Sequence, residues 1–381
     1  MALALFLWGM GEGLFIYIEP LALKGLGADP VQIGRVLAAA GVAAGLAHIP
    51  AGFLADHFGR KPVLIAGWVL GIAASLFMYL ARDLTLFVPA LIGYTFTGFV
   101  VAPLNAYVAQ ARGPQSIQRA VTLVSAGFWA GSIVSPALGG FIARAFALRA
   151  VFGVATALFV VSTMAMLLIT PQPRSAPALG QTRYGALFQN RAYLGFLALM
   201  CLALLAMQLG LPFMPNFVQE VRGFDVGVVG LLGSTSSLGI VVVNVLLGQR
   251  VPRRGFMLGQ LFMLLSLALL LLTTSAPFLF AAYFFRAGWS LARNMATAQV
   301  SRVVQPAELG LALGLTETVG TVALVLGPLA AGQLYARDPA LPFQLSALLI
   351  ALTLPLVWWL APRRDAHSAA PVPITTDHSP P

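Results

Sequence analysis

Charge is what this sequence has least of. Of 381 residues only 9% are charged and 59% are hydrophobic, whereas a soluble domain carries about 25% charged residues. No water-facing surface can be built from so few, which excludes an ordinary soluble protein. Lysine is almost missing: Lys24 and Lys61 are the only two among 22 basic residues. Glycine follows the first and proline the second, so there is no G-K-[ST] phosphate loop and no ATP-driven pump. The single cysteine, Cys201, lies in an apolar run, so no internal disulfide can form. Among the four histidines there is no H-E-x-x-H, and no G-x-S-x-G occurs anywhere. An intramembrane enzyme is therefore a remote alternative, and no metal or cofactor is expected. The basic n-region of a cleavable leader is absent as well, so the apolar start reads as a first span. Almost no polar leader precedes that span, so the natural start can lie upstream of Met1.

What is present is hydrophobic length. Mean hydropathy is +0.89, and the stretches 63–81, 151–169 and 256–285 contain no Asp, Glu, Lys, Arg or His. A helix needs about 20 apolar residues to cross the hydrocarbon. The pattern predicts an all-α membrane protein of twelve spans: 2–23, 31–52, 62–81, 84–110, 120–142, 150–169, 191–217, 226–248, 256–274, 277–300, 309–334 and 342–361. Residues 1–169 form one six-helix bundle and 191–361 a second, around a central cavity. The Pro-containing stretch 170–190 reads as a cytoplasmic linker, and 362–381 as a disordered cytoplasmic tail.

Orientation follows from basic residues in the connections. With the amino terminus inside, the inner connections hold thirteen Lys and Arg (Arg60, Lys61, Arg112, Arg119, Arg174, Arg183, Arg191, Arg250, Arg253, Arg254, Arg302, Arg363, Arg364). The outer ones hold six (Lys24, Arg82, Arg144, Arg149, Arg222, Arg337). Both termini are thus expected in the cytoplasm of a multi-pass inner-membrane protein. The net charge of +10 is scattered singly through short loops, the pattern of loops facing anionic lipid rather than nucleic acid.

The halves repeat each other. Gly27-x-Asp29-x4-Gly34 recurs as Gly223-x-Asp225-x4-Gly230, at an offset of 196, and Gly52 and Gly59 recur as Gly248 and Gly255. After a four-residue deletion the offset becomes 192, and Pro136 and Gly140 match Pro328 and Gly332. Parallel repeats related by an axis along the membrane normal are a transporter architecture.

Between the second and third spans stands Gly52-Phe-Leu-Ala-Asp56-His-Phe-Gly59-Arg60-Lys61-Pro. It resembles motif A of the major facilitator superfamily. In the fifth span, Gly131-Ser-Ile-Val-Ser135-Pro136-Ala-Leu-Gly139-Gly140 is similar to motif C of that family's antiporters, with Ser135 replacing a glycine. Motif B is not met, because Tyr94 stands where arginine is expected. The resemblance covers nearly the whole chain and points to the drug–proton antiporter branch. It implies a monomer in the bilayer that moves a small molecule with protons or another coupling ion, by alternating access. Gly52, Asp56, Gly59, Arg60 and Lys61 would form a cytoplasmic gate, or merely a topogenic loop. Gly131, Ser135, Pro136, Gly139 and Gly140 form a small-residue packing stripe, with a bending role as the alternative. The resemblance also implies that spans 1, 4, 7 and 10 line the cavity.

Ionisable residues at membrane depth are costly, which turns them toward the bundle interior rather than lipid. Glu12, His48, Arg286, Arg293 and Glu317 lie mid-span, while spans 3, 6, 9 and 12 have no ionisable group in their middles. The repeat places Glu12 against Gln208, His48 against Asn244 and Tyr94 against Arg286. Together with Asn105 and Arg293, His48, Tyr94, Gln208, Asn244 and Arg286 are the candidate substrate-cavity residues. Arg286 and Arg293 share a face of span 10 about 10 Å apart. They either contact an anionic substrate or hold Glu317, with Arg286 the expected partner. Glu12 is the leading proton carrier and Glu317 the alternative. Glu19 is expected nearer the outer water. The leading function is proton-coupled export of small amphipathic compounds; uptake of an organic anion or metabolite is the alternative.

Overall fold

The computed structural model describes residues 1–172, 187, 189–248, 252–301, 303–304 and 308–360, of which 48–53, 56, 118, 192, 253, 310 and 360 are described by backbone alone. Most of the expected linker, the expected tail, and the side chains of His48, Gly52 and Asp56 lie outside the described residues.

Twelve helical passes follow in order. They are α1 (Ala2–Phe15 and Glu19–Gly25), α2 (Pro30–Phe58), α3 (Arg60–Leu80), α4 (Leu84–Phe96 and Val101–Ala111), α5 (Ile117–Ala145) and α6 (Leu148–Leu167). The second half has α7 (Arg191–Leu209 and Met214–Glu220), α8 (Val226–Leu247), α9 (Pro252–Leu272), α10 (Ala276–Phe285 and Gly288–Val300), α11 (Leu309–Arg337) and α12 (Leu341–Leu360). By length and apolarity ten of these can cross a membrane, and α1 is an eleventh, bent by 46° at its break. The remaining pass, α10, carries Arg286 and Arg293, which lower its hydropathy.

The expected spans match these passes to within a few residues. What the sequence did not reveal is that α1, α4, α7 and α10 are all interrupted, α4 by a 3-10 turn at Thr97–Val100. Proline stands in the first turn of the second segment of α1 (Pro20) and of α7 (Pro215), where its missing N–H costs nothing.

The repeat motif Gly-x-Asp is a helix start. Gly27 and Gly223 adopt φ of +93° and +74°, a region open mainly to glycine. Asp29 then caps α2, accepting from the Gln32 amide at 2.8 Å, and Asp225 caps α8, accepting from the Val228 amide at 3.0 Å.

Each half packs alike: α1 lies against α5 and α6 as α7 lies against α11 and α12. The halves meet along two seams, α2 with α11 and α5 with α8. The repeat glycines form both crossings. A Cβ on Gly34 would overlap the Pro328 carbonyl and crowd Gly332, and one on Gly230 would overlap the Pro136 carbonyl and Gly140. Both crossings lie toward the end carrying the connections 25–30, 145–148, 221–226 and 337–341, and here the molecule is closed.

Candidate functional site

A cavity of about 570 Å³ opens within the first half. Its walls include Trp8, Glu12 and Glu19 from α1, Tyr94, Thr95 and Asn105 from α4, and Phe128 and Trp129 from α5. The Tyr94 hydroxyl donates to Glu12 Oε2 at 2.9 Å. Tyr94 is itself held by aromatic contacts with Phe15 (centroids 5.0 Å apart, edge-on) and Phe159 (5.8 Å, stacked). The departure from motif B thus has a consequence: the group meeting Glu12 is a neutral hydroxyl rather than a guanidinium. Glu12, Tyr94 and Asn105 line this one cavity. Glu19 is not out in bulk water but half-buried on the same cavity wall, because the bend at 16–18 re-aims the rest of α1.

A second space of about 490 Å³ adjoins the first, sharing Val121, Ser125 and Trp129 with it, and continues between α5 and α8. Its polar wall holds Asn244, Ser290 and Asn294. Asn294 Nδ2 donates to Asn244 Oδ1 at 2.8 Å and Asn244 Nδ2 to Ser290 Oγ at 3.1 Å. Among the described residues no Arg, Lys or His lines either space.

The arginines of α10 are engaged elsewhere. Arg293 pairs with Glu317 at 2.5 Å, whereas Arg286 donates to Ser236 Oγ at 3.1 Å and stacks on the Tyr17 ring at 5.1 Å. The expected pairing of Arg286 with Glu317 is therefore corrected to Arg293, two turns further along the helix. Tyr17 comes from the break of α1, and its hydroxyl lies 3.0 Å from Ser237 Oγ. This junction ties the halves at the cavity's closed end. Gln208 does not join the cavity residues: it is 8% exposed and packs on α11, its side chain where a Cβ of Gly327 would be.

The Arg293–Glu317 side chains are 38% and 51% exposed, so removing one partner costs less than the about 3–5 kcal/mol of stranding a fully buried charge. Arg293→Ala and Glu317→Ala should each lower stability by about 1 kcal/mol. The double change should cost less than the sum. Thermal unfolding in detergent reads the cycle, and strictly additive losses would reject the pairing.

Farther out at the closed end, two more ion pairs join the halves, Lys24 with Glu220 at 2.8 Å and Arg144 with Asp225 at 3.4 Å. At the opposite end Gly59 turns at φ +88°. Arg60 donates there to the Ala106 carbonyl (3.2 Å), Gln110 (2.5 Å) and Gln172 (3.0 Å), and Lys61 to the Leu167 carbonyl (3.0 Å). All of these partners belong to the first half or its exit, so Arg60 and Lys61 brace one bundle.

The small-residue stripe of α5 serves both neighbours. Gly131 and Gly139 lie against the α1 backbone at Phe6 and Leu14, and Gly140 against α8. Ser135 Oγ donates to the Gly9 carbonyl at 3.4 Å, and Gly13 leaves the room it needs. The serine in place of glycine is thus matched by a glycine on the facing helix.

The Major Facilitator Superfamily model matches residues 1–249 and 199–381. The chain belongs to this family and is a multi-pass membrane transporter. Multidrug resistance protein 1 of Bacillus subtilis is 23% identical over 94% of this chain and 95% of its own length. Multi-drug resistance efflux pump PmrA of Streptococcus pneumoniae is 30% identical over 39% of this chain and 38% of its own. Among solved structures, a mutant of the nucleoside transporter NupG superposes with a TM-score of 0.83 at 15% identity, covering 94% of this chain and 98% of that one. A D-xylose–proton symporter gives 0.71 at 16%, covering 95% and 96%. These family members and neighbours are all transporters.

Proposed function

We propose that this transporter exports small amphipathic cations in exchange for protons, by alternating access. The observation that carries the reading is Glu12, bonded to the neutral Tyr94 hydroxyl and sharing an aromatic-walled cavity with Glu19. A carboxylate that no cation balances is costly at membrane depth. A bound proton removes that cost, and so does a bound cation. Substrate and proton then compete for one place, which is the simplest route to exchange. Phe128 and the exposed Trp129 offer aromatic surface for the rest of such a molecule. The multidrug resistance names of the relatives fit this chemistry.

The basic end would face the cytoplasm with both termini, as thirteen basic residues against six suggest. The closed end, with its two ion pairs, would then be periplasmic, and the conformation inward-facing. Reporter fusions that put the two termini on opposite sides would reject this orientation. The rival reading, uptake of an organic anion, needs a free cation in the cavity. Arg293 is paired with Glu317, and Arg286, held by Ser236 and Tyr17, lines neither space, so neither supplies one at the cavity wall.

Inverted vesicles carrying the protein should accumulate a lipophilic cation when their interior is made acidic, and lose it when the pH gradient collapses. Purified protein in weak buffer should release protons on adding the same cation. Cation accumulation that ignores the pH gradient would overturn the exchange, and accumulation of organic anions alone would favour the rival.

A further inference from the structure

The two seams between the halves are equivalent by the internal repeat, yet they differ between the Gly–Gly crossings and the open end. On the α2–α11 seam Gly45 lies against the Thr321 side chain, so closely that a Cβ there would overlap it. Outside that contact, among the described residues, lies a mainly apolar groove of about 410 Å³ whose polar lining, Thr318 and Thr321, is bonded to its own helix. The repeat offsets carry Gly45 onto Val241 and Thr321 onto Trp129. At that place the α5–α8 seam stays apart, and Trp129 and Val241 line the 490 Å³ gap. Two large side chains stand where a glycine and a threonine close the other seam.

The gap is also lined differently. One wall is the bonded trio Asn244, Ser290 and Asn294, while Val245, also on the gap, is 70% exposed. The gap adjoins the carboxylate cavity, with Val121, Ser125 and Trp129 on the walls of both.

We infer that the α5–α8 seam is a lateral entrance, through which an amphipathic cation dissolved in the bilayer leaflet at the open end reaches Glu12 and Glu19. The inference rests on the cation-export reading above and adds the route. A polar headgroup drawn between apolar walls loses its hydration without return. The amide and hydroxyl strip supplies replacement hydrogen bonds, while the tail stays in hydrocarbon until the headgroup arrives. Among the described residues the α2–α11 seam is shut at the Gly45–Thr321 contact and presents no such amide strip.

The test uses two quaternary ammonium ions with the same headgroup, one short-chained and confined to water, one long-chained and partitioned into the membrane. Ala126→Phe and Val241→Phe fill the gap without touching the carboxylate cavity. Thr318→Phe, at the repeat equivalent of Ala126 on the other seam, is the control. Transport of the long-chain ion should fall at least tenfold in the first two variants and stay within twofold in the control. Transport of the short-chain ion should stay within twofold in all three. Ala126→Cys in a Cys201→Ser background, folded first and then blocked with a bulky maleimide, gives the same reading where a phenylalanine impairs folding. Equal losses for both ions, or no loss for either, would overturn the lateral route. Failure of the unmodified protein to move either ion would instead reject cation export itself, a result visible before any variant is made.

Discussion

Glu12→Gln should abolish cation-driven proton release and cut transport about 10- to 100-fold, with the protein level unchanged. A unit charge pair 4 Å apart is worth about 4 kcal/mol at an effective dielectric of about 20. Every 1.4 kcal/mol is about a factor of ten in affinity. Glutamine keeps the shape and can still accept the Tyr94 hydrogen bond, so part of that loss is recovered and substrate binding remains measurable. What glutamine cannot do is exchange a proton. Whatever transport survives should therefore no longer follow the pH gradient. Tyr94→Phe provides the graded comparison: it removes a neutral hydrogen bond of about 1 kcal/mol and leaves the carboxylate, so release should persist with weakened transport. Undiminished proton release by Glu12→Gln would move the coupling role away from Glu12. Glu19 would then be its nearest successor, since it lines the same cavity, whereas Glu317 already holds Arg293.

How far the sequence reaches can be seen in these same residues. Hydrophobic length and basic loop residues define the passes because they answer to the bilayer, a solvent whose thickness is fixed. The repeat is legible for a related reason. Gly27 and Asp29 recur as Gly223 and Asp225 because each pair builds one turn and one cap, chemistry that is local in the chain. Glu12 and Tyr94 could be named since both are polar on passes that have few polar residues. Their bond could not, as it depends on how α1 crosses α4. The choice between Arg286 and Arg293 for Glu317 failed likewise. The two would share one face of a continuous helix, but α10 is interrupted at Arg286 and Ala287, so Arg286 meets Ser236 and Tyr17 and only Arg293 meets α11. Glu19 was misplaced because helix-face arithmetic assumes a continuous helix, and α1 bends by 46° between Glu12 and Glu19. Pro20 was the available signal. Gln208 is polar and mid-pass, yet Gly327 makes a slot for it, and a glycine on a partner helix is invisible from the glutamine's own surroundings.

Gly34→Ala and Gly230→Ala should each shift the molecule away from the conformation described here, and by similar amounts. Gly34 meets Gly332 and the Pro328 carbonyl, and Gly230 meets Gly140 and the Pro136 carbonyl; in both cases the obstacle is backbone. Backbone on two long helices cannot step aside as a flexible side chain would, so the helices must part. Overpacking of this kind costs about 1–3 kcal/mol. The cost falls only on the state in which this end is shut, since the crossings join the two halves and separate when it opens. A penalty confined to one state changes the population ratio by about 5- to 150-fold. The readout is the labelling rate of Asn105→Cys in a Cys201→Ser background, a cavity position reached from the opposite, open end. Labelling should slow in both variants as that end spends more time closed. Gly139→Ala separates this from simple damage. Its obstacle is the Leu14 carbonyl of α1, inside one half, so both states are strained alike. It should lower the melting temperature while leaving the labelling rate of the folded protein unchanged. If Gly139→Ala slows labelling as much as the other two, the crossings are ordinary packing and do not set the balance between states.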